Sequence, residues 1–385
     1  MIEFVDRKGT SCSKWDNLEA KFGLDGILPL WVADMDLAAP KVAQDAIAKR
    51  AAHTVYAYSI YTDKFYQGII DWYSSQFGWE IQREWIVPEH GVVISLNLSI
   101  QAFTSIGDGI IVQTPIYPPF LSSIQNHGRK MLENRLIFKD GLVSIDFDDF
   151  EAKVKEAKLF LLCSPHNPSA RAWSRDELEK MISICHENGV VVIADEIHSD
   201  LVFGSAHTPI GQLSKARDIT LTLHAPSKTF NIAGLNTSYL IIPNEKLREA
   251  YVKEHKKAGL DSGNPFGIVA LEAVYDGGAE WLAELKTYLL KNSKFISSFI
   301  GENIPEIIVY EHQATFLMWL DCRGLGLDDK ELSEFFIHKA GLGLNAGISF
   351  GEAGSGFMRL NIGTSMSILE EAMNKLESAV KVVGK

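Results

Sequence analysis

The chain has 385 residues, a hydrophobic fraction of 46% and a formal net charge of −12. This length exceeds what one ordinary core accommodates, so we expect two domains. The acidic balance argues against nucleic acid and anionic membranes as partners, because both attract basic surfaces. It does not exclude an anionic substrate, since one cationic pocket can lie inside an acidic protein.

The sequence shows neither a targeting signal nor a metal-binding cluster. The first residues contain no basic segment followed by an apolar stretch, and no apolar run approaches the roughly 18 residues that span a bilayer. We therefore expect a cytoplasmic protein without membrane attachment. Its widely spaced cysteines are expected to be reduced thiols, namely Cys12, Cys163, Cys185 and Cys322. The 11 histidines form no His-Glu-x-x-His cluster, so no metal site is expected.

Short apolar runs alternate with longer helical patterns between about residues 85 and 280. One predicted helix is opened by Pro40, another runs from about 95 to 105, and a third covers 174–188, where Ser174 and Glu177 form a capping box. The predicted strands, which are apolar almost throughout, are 109–114, 159–163, 190–194, 219–223 and 238–242. Such runs are typical of central strands in a parallel sheet that is covered on both faces.

The pattern changes after about residue 285. Predicted helices at 281–299, 328–339 and 367–380 flank predicted strands at 315–320 and 357–361. This arrangement indicates a smaller α+β domain. We predict a large domain over residues 40–285 and a small domain formed by residues 1–39 and 286–385, with the cleft between them as the expected site.

Reactive side chains follow four of the predicted strands, at the edge where open α/β sheets bind ligands. They are Tyr117, Asn167, Asp195 and Lys228. Taken alone, Asp195 is read as a helix cap or an ion-pair partner, and Lys228 as a surface residue. Taken together they suit a cationic heterocycle, with Asp195 pairing a ring N–H and Lys228 bonded to an aldehyde.

An anion site is indicated by the segment Glu89-His-Gly-Val-Val93, which precedes a predicted helix. The free N–H groups and positive dipole end of that helix would hold a phosphate dianion, although an ordinary loop is the alternative interpretation. Ser227 could donate a further hydrogen bond. The ring of Tyr117 could stack on the cofactor, or it could simply fill the space between two domains.

Seven segments occur in the order and spacing of a known family. They are Trp31-Val-Ala-Asp-Met-Asp36, Gly91-Val-Val93, Pro115-Ile-Tyr-Pro-Pro119, Ser164-Pro-His-Asn-Pro168, Asp195-Glu-Ile-His198, Ala225-Pro-Ser-Lys-Thr-Phe-Asn-Ile-Ala-Gly-Leu235 and Arg359-Leu-Asn361. Together they resemble fold-type-I pyridoxal 5′-phosphate (PLP) enzymes, most closely the cystathionine β-lyase-type C–S lyases related to class I/II aminotransferases. The resemblance covers nearly the whole chain. It implies an α/β fold with a mostly parallel central sheet flanked by helices, plus a smaller α+β domain.

The resemblance also implies PLP as cofactor and a role for each site residue. Lys228 would bond the cofactor and shuttle the Cα proton, and Asp195 would keep the pyridine nitrogen protonated. The further cofactor contacts that it implies are Asn167, Tyr117, His198, Ser227 and the amides of Val92 and Val93. Substrate would be bound by Arg359, Trp31 and Asn167. Tyr58 would reach the phosphate of the neighbouring subunit, which implies a homodimer.

Two positions favour a lyase. Many aminotransferases carry Tyr where this chain has His198, and Arg where it has Asn236. We therefore expect α,β-elimination from cystathionine or cysteine-type thioethers, giving pyruvate, ammonia and a thiol, with a class I/II aminotransferase as the alternative. A nicotinamide-dependent dehydrogenase is disfavoured because no Gly-x-Gly-x-x-Gly joins a strand to a helix. A binding protein without turnover is opposed by the intact Lys228, Asp195 and Arg359.

Overall fold

The computed structural model describes residues 2–260 and 262–383, and a seven-stranded sheet lies at the centre of this part of the chain. In chain order the strands are β1 (Ile86–Glu89), β2 (Gly109–Thr114), β3 (Lys130–Arg135), β4 (Ala157–Cys163), β5 (Val191–Asp195), β6 (Thr220–His224) and β7 (Ser238–Ile241). Their order across the sheet is β1-β7-β6-β5-β4-β2-β3. All neighbouring pairs from β6 to β3 are parallel. The predicted mostly parallel sheet is therefore confirmed.

Strand β7 differs from the prediction, because it runs antiparallel to both β1 and β6. The connection from β6 to β7 contains only the short helix Pro226–Thr229 and the 3₁₀ turn Ala233–Leu235. A parallel return usually needs a crossover helix, and this connection has none of sufficient length. The sequence patterns also miss β1, which contains Pro88, and β3, in which only Met131 and Leu132 are apolar. Both are edge strands, where these features are common.

Side chains of the central strands alternate between two hydrophobic clusters on opposite faces of the sheet. Ile111 and Phe160 belong to one cluster, whereas Ile110 and Leu161 belong to the other, and all four are fully buried. Both faces of the sheet are buried, which explains why these strands are almost continuously apolar. Polar groups are consequently concentrated at the strand ends.

Helices occur along the whole described part of the chain. The longer ones are Lys41–Ala52, Asp63–Phe77, Val92–Phe103, Pro118–Asn126, Phe147–Val154, Arg175–Glu187, Glu245–Lys257, Pro265–Gly277, Ala279–Asn303, Asp329–Glu334 and Met366–Val383. Short helices at Ser13–Asp16 and Leu18–Phe22 belong to the N-terminal segment. The predicted capping box is present, since the Ser174 hydroxyl accepts from the Glu177 amide and the Glu177 carboxylate accepts from the Ser174 amide.

A second, antiparallel sheet is built from the C-terminal part of the chain. Its strands are β8 (Ile308–Val309), β9 (Leu317–Asp321), β10 (Asn345–Ala346) and β11 (Phe357–Asn361), in the order β8-β9-β11-β10. Two short pairs complete the strands, Leu28–Pro29 with Leu342–Gly343 and Ile137–Lys139 with Leu142–Ser144. The first of these pairs joins the N-terminal segment to the C-terminal part.

A long helix and a shared hydrophobic cluster connect the parts of the chain that form the two sheets. The predicted boundary between residues 285 and 286 lies inside the helix Ala279–Asn303. One hydrophobic cluster contains Phe65 and Leu271 together with Phe316 and Leu369. The division into residues 40–285, and 1–39 with 286–385, stays a prediction. No helix in the described ranges is both long and apolar enough to cross a membrane.

Candidate active site

A cavity of about 280 Å³ lies where β4 and β5 end, and Cys163 and Asp195 form part of its wall. Its lining includes eight residues that the sequence predicts, namely Val92, Val93, Tyr117, Asn167, Asp195, His198, Ser227 and Lys228. The volume is close to the lower end of the range for small-molecule sites. A wider surface groove of about 1030 Å³, between Leu24 and Val382, contains none of these predicted residues.

Lys228 lies on the short helix that follows β6, and its Nζ donates to the carbonyl oxygen of Ala33 at 2.7 Å. Burial lowers the pKa of Lys228 to about 8, with the Asp34 carboxylate acting in the opposite direction. The next residue, Thr229, donates from its hydroxyl to the buried Asp200 at 2.7 Å. This bond anchors the short helix that carries Lys228. A substantial fraction of the Lys228 amine is therefore neutral and nucleophilic under mildly alkaline conditions.

Asp195 is the last residue of β5, and only 5% of it is exposed. Its Oδ1 accepts from the amide of Ile197 at 3.1 Å. Burial raises the pKa of Asp195 to about 6, although that amide and the nearby His224 and Lys228 oppose the shift. A buried carboxylate with an unfavourable charge is stabilised by a cationic N–H partner, which a protonated pyridine ring would supply.

Asn167 and Arg359 form a linked pair beside the cavity. The Nη1 of Arg359 donates to Oδ1 of Asn167 at 3.0 Å, and its Nη2 donates to the carbonyl of Trp31 at 2.8 Å. The Nε of Arg359 is buried and has no hydrogen-bond partner in the described part of the chain. Burial lowers the pKa of Arg359 to about 10, so the guanidinium stays charged at neutral pH. It can therefore receive a carboxylate, while Asn167 keeps its amide N–H groups for an oxygen in the cavity.

His198 and Tyr117 add uncharged groups to the wall. Burial lowers the pKa of His198 well below its usual value, with Lys228 and Arg359 contributing, so the imidazole is neutral. Its Nδ1 has no hydrogen-bond partner among the described residues. Burial raises the pKa of Tyr117, which keeps the phenol protonated. Neither residue competes with Arg359 for an anionic substrate group.

The anion donors belong to the helix Val92–Phe103, which begins three residues earlier than predicted. Gly91 is its N-cap and gives no side-chain capping bond. The amides of Val92, Val93 and Ile94 form the first turn, where helical N–H groups have no partner within the helix. All three residues line the cavity. The free N–H groups thus belong to the first turn itself and not to a preceding loop, an arrangement that can bind a phosphate.

Three predicted residues lie outside the lining of the cavity. Arg359 does not line the cavity itself but contacts Asn167, which does. Trp31 contributes its carbonyl oxygen to Arg359, whereas its indole Nε1 donates to the carbonyl of Lys14 at 3.2 Å. Tyr58 is 96% exposed and does not contact the cavity within this chain.

Sequence reasoning missed two residues that hold the loop beside Lys228. The side chains of Asn231 and Asn361 bind backbone groups of residues 32–37. Both lie inside the segments quoted for the family resemblance, three residues after Lys228 and two residues after Arg359. Their place in these segments was the only sequence signal for the two residues, and it did not indicate a role.

The family follows from a comparison with known sequences. Residues 27–376 match the family described as aminotransferase class I and II, which is nearly the whole chain. The chain belongs to this family.

Similar members of the class I and II family include named lyases. Cystathionine β-lyase PatB of Bacillus subtilis (strain 168) is 41% identical over 97% of this chain and 98% of its own length. Among solved structures, cystalysin from Treponema denticola, which contains a pyridoxal 5′-phosphate cofactor, has a TM-score of 0.95 and 35% identity over 99% of this chain and 98% of its own. The PLP-bound C–S lyase from Staphylococcus hominis, in complex with L-cycloserine, has a TM-score of 0.92 and 29% identity, covering 98% and 97% of the two chains.

These relatives confirm the predicted family, the PLP cofactor and the carbon–sulfur lyase class. The residues of the cavity fit the cofactor. A buried carboxylate is present for a ring N–H, helix amides are present for a phosphate, and an amine of lowered pKa is present for an aldehyde.

Proposed function

We propose that this protein cleaves thioether amino acids such as cystathionine by α,β-elimination, releasing a thiol, pyruvate and ammonia. The observation that carries the proposal is that His198 and Asn236 both line the cavity beside Lys228. Many family aminotransferases have Tyr and Arg at these positions. The names of the lyase relatives support the same choice.

Two contacts orient the substrate in this proposal. The buried guanidinium of Arg359 receives the α-carboxylate, and its bonds to Asn167 and the Trp31 carbonyl fix the plane of the group. Asn167 in turn offers its amide N–H to the ring oxygen of the cofactor. A planar cation held on two sides gives a defined geometry to the carboxylate, and therefore to the neighbouring Cα–H bond.

Proton transfer is assigned to Lys228. PLP, when bound, accepts the electron pair that the broken Cα–H bond leaves behind. The Nζ of Lys228 takes the Cα proton, because burial keeps a substantial fraction of this amine neutral. That electron pair then forms a Cα–Cβ double bond, while the sulfur leaves the β-carbon as thiolate with the C–S bonding pair. The released enamine hydrolyses in water to pyruvate and ammonia, so no acceptor keto acid is needed.

Cofactor contacts are proposed for the remaining residues. Asp195 would hold the ring nitrogen protonated, and Tyr117 would provide a flat ring beside it. The amides of Val92 and Val93, with the Ser227 hydroxyl, would bind the phosphate. His198 lies next to the ring as a neutral group.

We further propose a homodimer in which Tyr58 reaches the phosphate of the other subunit. Tyr58 belongs to an exposed apolar segment in which Val55, Tyr56, Tyr58 and Ile60 have exposed fractions of 59%, 61%, 96% and 81%. A patch of this kind favours a protein interface. Val93 and Ile94, at the cavity, are also partly exposed, with fractions of 39% and 36%.

A cytoplasmic location is proposed from the thiols. Cys163, Cys185 and Cys322 are buried, and the four cysteines are unpaired. Buried free thiols are usual in a reducing compartment.

A product assay tests the function. Purified protein given cystathionine, without any keto acid, should release pyruvate, ammonia and homocysteine in equal amounts. Lys228→Ala should release none, because the proton acceptor and the cofactor bond are both lost. Pyruvate formation that depends strictly on an added keto acid would identify an aminotransferase instead.

A further inference from the structure

Residues 31–37, here named the strap, run between the two elements that carry Lys228 and Arg359. Each of these residues donates to a strap carbonyl, Lys228 to Ala33 at 2.7 Å and Arg359 to Trp31 at 2.8 Å. The proposed proton acceptor and the proposed carboxylate ligand therefore contact the same short piece of backbone. A shift of the strap would move the hydrogen-bond partners of both.

Asn231 holds the strap from the lysine side. Its Oδ1 accepts from the Met35 amide at 3.0 Å, and its Nδ2 donates to the carbonyls of Met35 and Leu37 at 2.9 and 2.6 Å. Asn231 has a φ of 56°, in the left-handed region that Asn tolerates better than most residues. Three bonds from one short side chain leave the strap little freedom at this end.

Asn361 holds the strap from the side of β11. Its Nδ2 donates to the carbonyls of Val32 and Asp34 at 2.5 and 2.6 Å, on either side of Ala33. Its Oδ1 accepts from the Gly363 amide at 2.7 Å, which fixes the orientation of the amide group. The side chain is completely buried, so water cannot replace these bonds without opening the structure.

We infer that Asn231 and Asn361 are positioning residues that hold the strap so that the Ala33 carbonyl receives the Lys228 amine whenever that amine is not bonded to the cofactor. This rests on the proposed role of Lys228 in proton transfer. A carbonyl acceptor orients the amine without adding a negative charge, whereas a carboxylate at this place would favour the ammonium form more strongly. The amine is thus kept at a fixed position between its two tasks, bonding the cofactor and carrying the Cα proton.

The test compares Asn231→Ala and Asn361→Ala with Asn134→Ala. Asn134 is also completely buried and donates from Nδ2 to two acceptors, Asp146 O and an Asp149 carboxylate oxygen, but it lies on β3, away from the strap. It therefore controls for the loss of buried amide hydrogen bonds. If Asn231→Ala does not fold, the test uses Asn231→Asp instead, because this variant keeps the oxygen that accepts from the Met35 amide.

The first readout needs no catalysis. The full chain is loaded with pyridoxamine 5′-phosphate, which cannot bond to the lysine, and is labelled with acetic anhydride. Acetylation of Lys228 is measured by mass spectrometry relative to Lys330, whose side chain is 86% exposed. Both strap variants should increase the labelling of Lys228 several-fold, and Asn134→Ala should leave it unchanged.

The second readout isolates proton transfer. Exchange of the Cα hydrogen of L-alanine in D₂O is followed by NMR on PLP-loaded enzyme, per bound cofactor. Alanine has no leaving group, so this assay still works if the thioether reaction is wrong. The strap variants should slow exchange by about tenfold or more, as expected when a reacting group is misplaced. Unchanged labelling and exchange in both variants, or equal changes in Asn134→Ala, would overturn the inference.

Discussion

Asp195 carries a charge that the folded chain alone does not favour. Its pKa is raised to about 6 from an ordinary value of 3.8, mainly by burial. Between these two values the folded protein binds a proton that the unfolded chain has released. Stability of the cofactor-free protein is therefore lost as the pH rises from about 4 through about 6, and the loss persists above that.

Asp195→Asn should remove this penalty. We expect the cofactor-free variant to be more stable than the parent at pH 8, by up to about 3 kcal/mol, and equal to it below pH 4. Melting temperatures measured across this range check the effect, with the exposed Asp25→Asn as control for loss of a charge. The same variant should bind PLP weakly and lose turnover by several orders of magnitude. Near-normal kcat would show that the carboxylate has another task.

Arg359 is held by two bonds that a lysine could not reproduce. Arg359→Lys keeps the charge but cannot donate at once to Asn167, to the Trp31 carbonyl and to a substrate carboxylate. KM for a thioether substrate should rise roughly tenfold to a hundredfold, with a smaller change in kcat. Arg323→Lys is the matched control, because Arg323 also binds a carboxylate through two nitrogens but is half exposed. An equal KM effect in both variants would contradict the assignment.

At the level of elements, the first turn of the helix Val92–Phe103 is expected to bind phosphate through its backbone. Val93→Pro deletes one N–H donor, and proline is tolerated in the first turn of a helix. Since the side chain is already 39% exposed, little packing is lost. PLP affinity, measured by fluorescence titration, should fall roughly tenfold to a hundredfold. Val93→Ala keeps the amide and should bind normally; a comparable loss there would assign the effect to the side chain.

Sequence patterns located these elements well wherever the signal was local. The limits of β2, the capping box at Ser174 and the polar residues at the ends of β4 and β5 are each encoded within a few adjacent residues. The strap could not be predicted in this way. Its contacts join Met35 to Asn231 and Trp31 to Arg359, which are 196 and 328 positions apart. Such pairings depend on the packing of the whole chain.

For the whole molecule, the proposal of shared sites can be tested by complementation. Lys228→Ala and Tyr58→Phe subunits, each impaired alone, are mixed under conditions that allow subunit exchange. Mixed dimers should regain part of the activity, because one of their two sites has both residues intact. A mixture of two Lys228→Ala preparations serves as control. An impaired Tyr58→Phe preparation that recovers no activity on mixing would contradict donation across the interface.

The helix Ala279–Asn303 has a mechanical consequence. Its 25 residues form a rod of roughly 37 Å that contains no proline, and its Leu285 and Leu289 are completely buried. Bending it at residue 285 would break intrahelical bonds and expose both side chains, so the chain has no soft hinge at this point. Admission of substrate cannot depend on two halves swinging apart there. We expect smaller movements at the cavity instead, where the partly exposed Val93 and Ile94 lie and the strap is held in place.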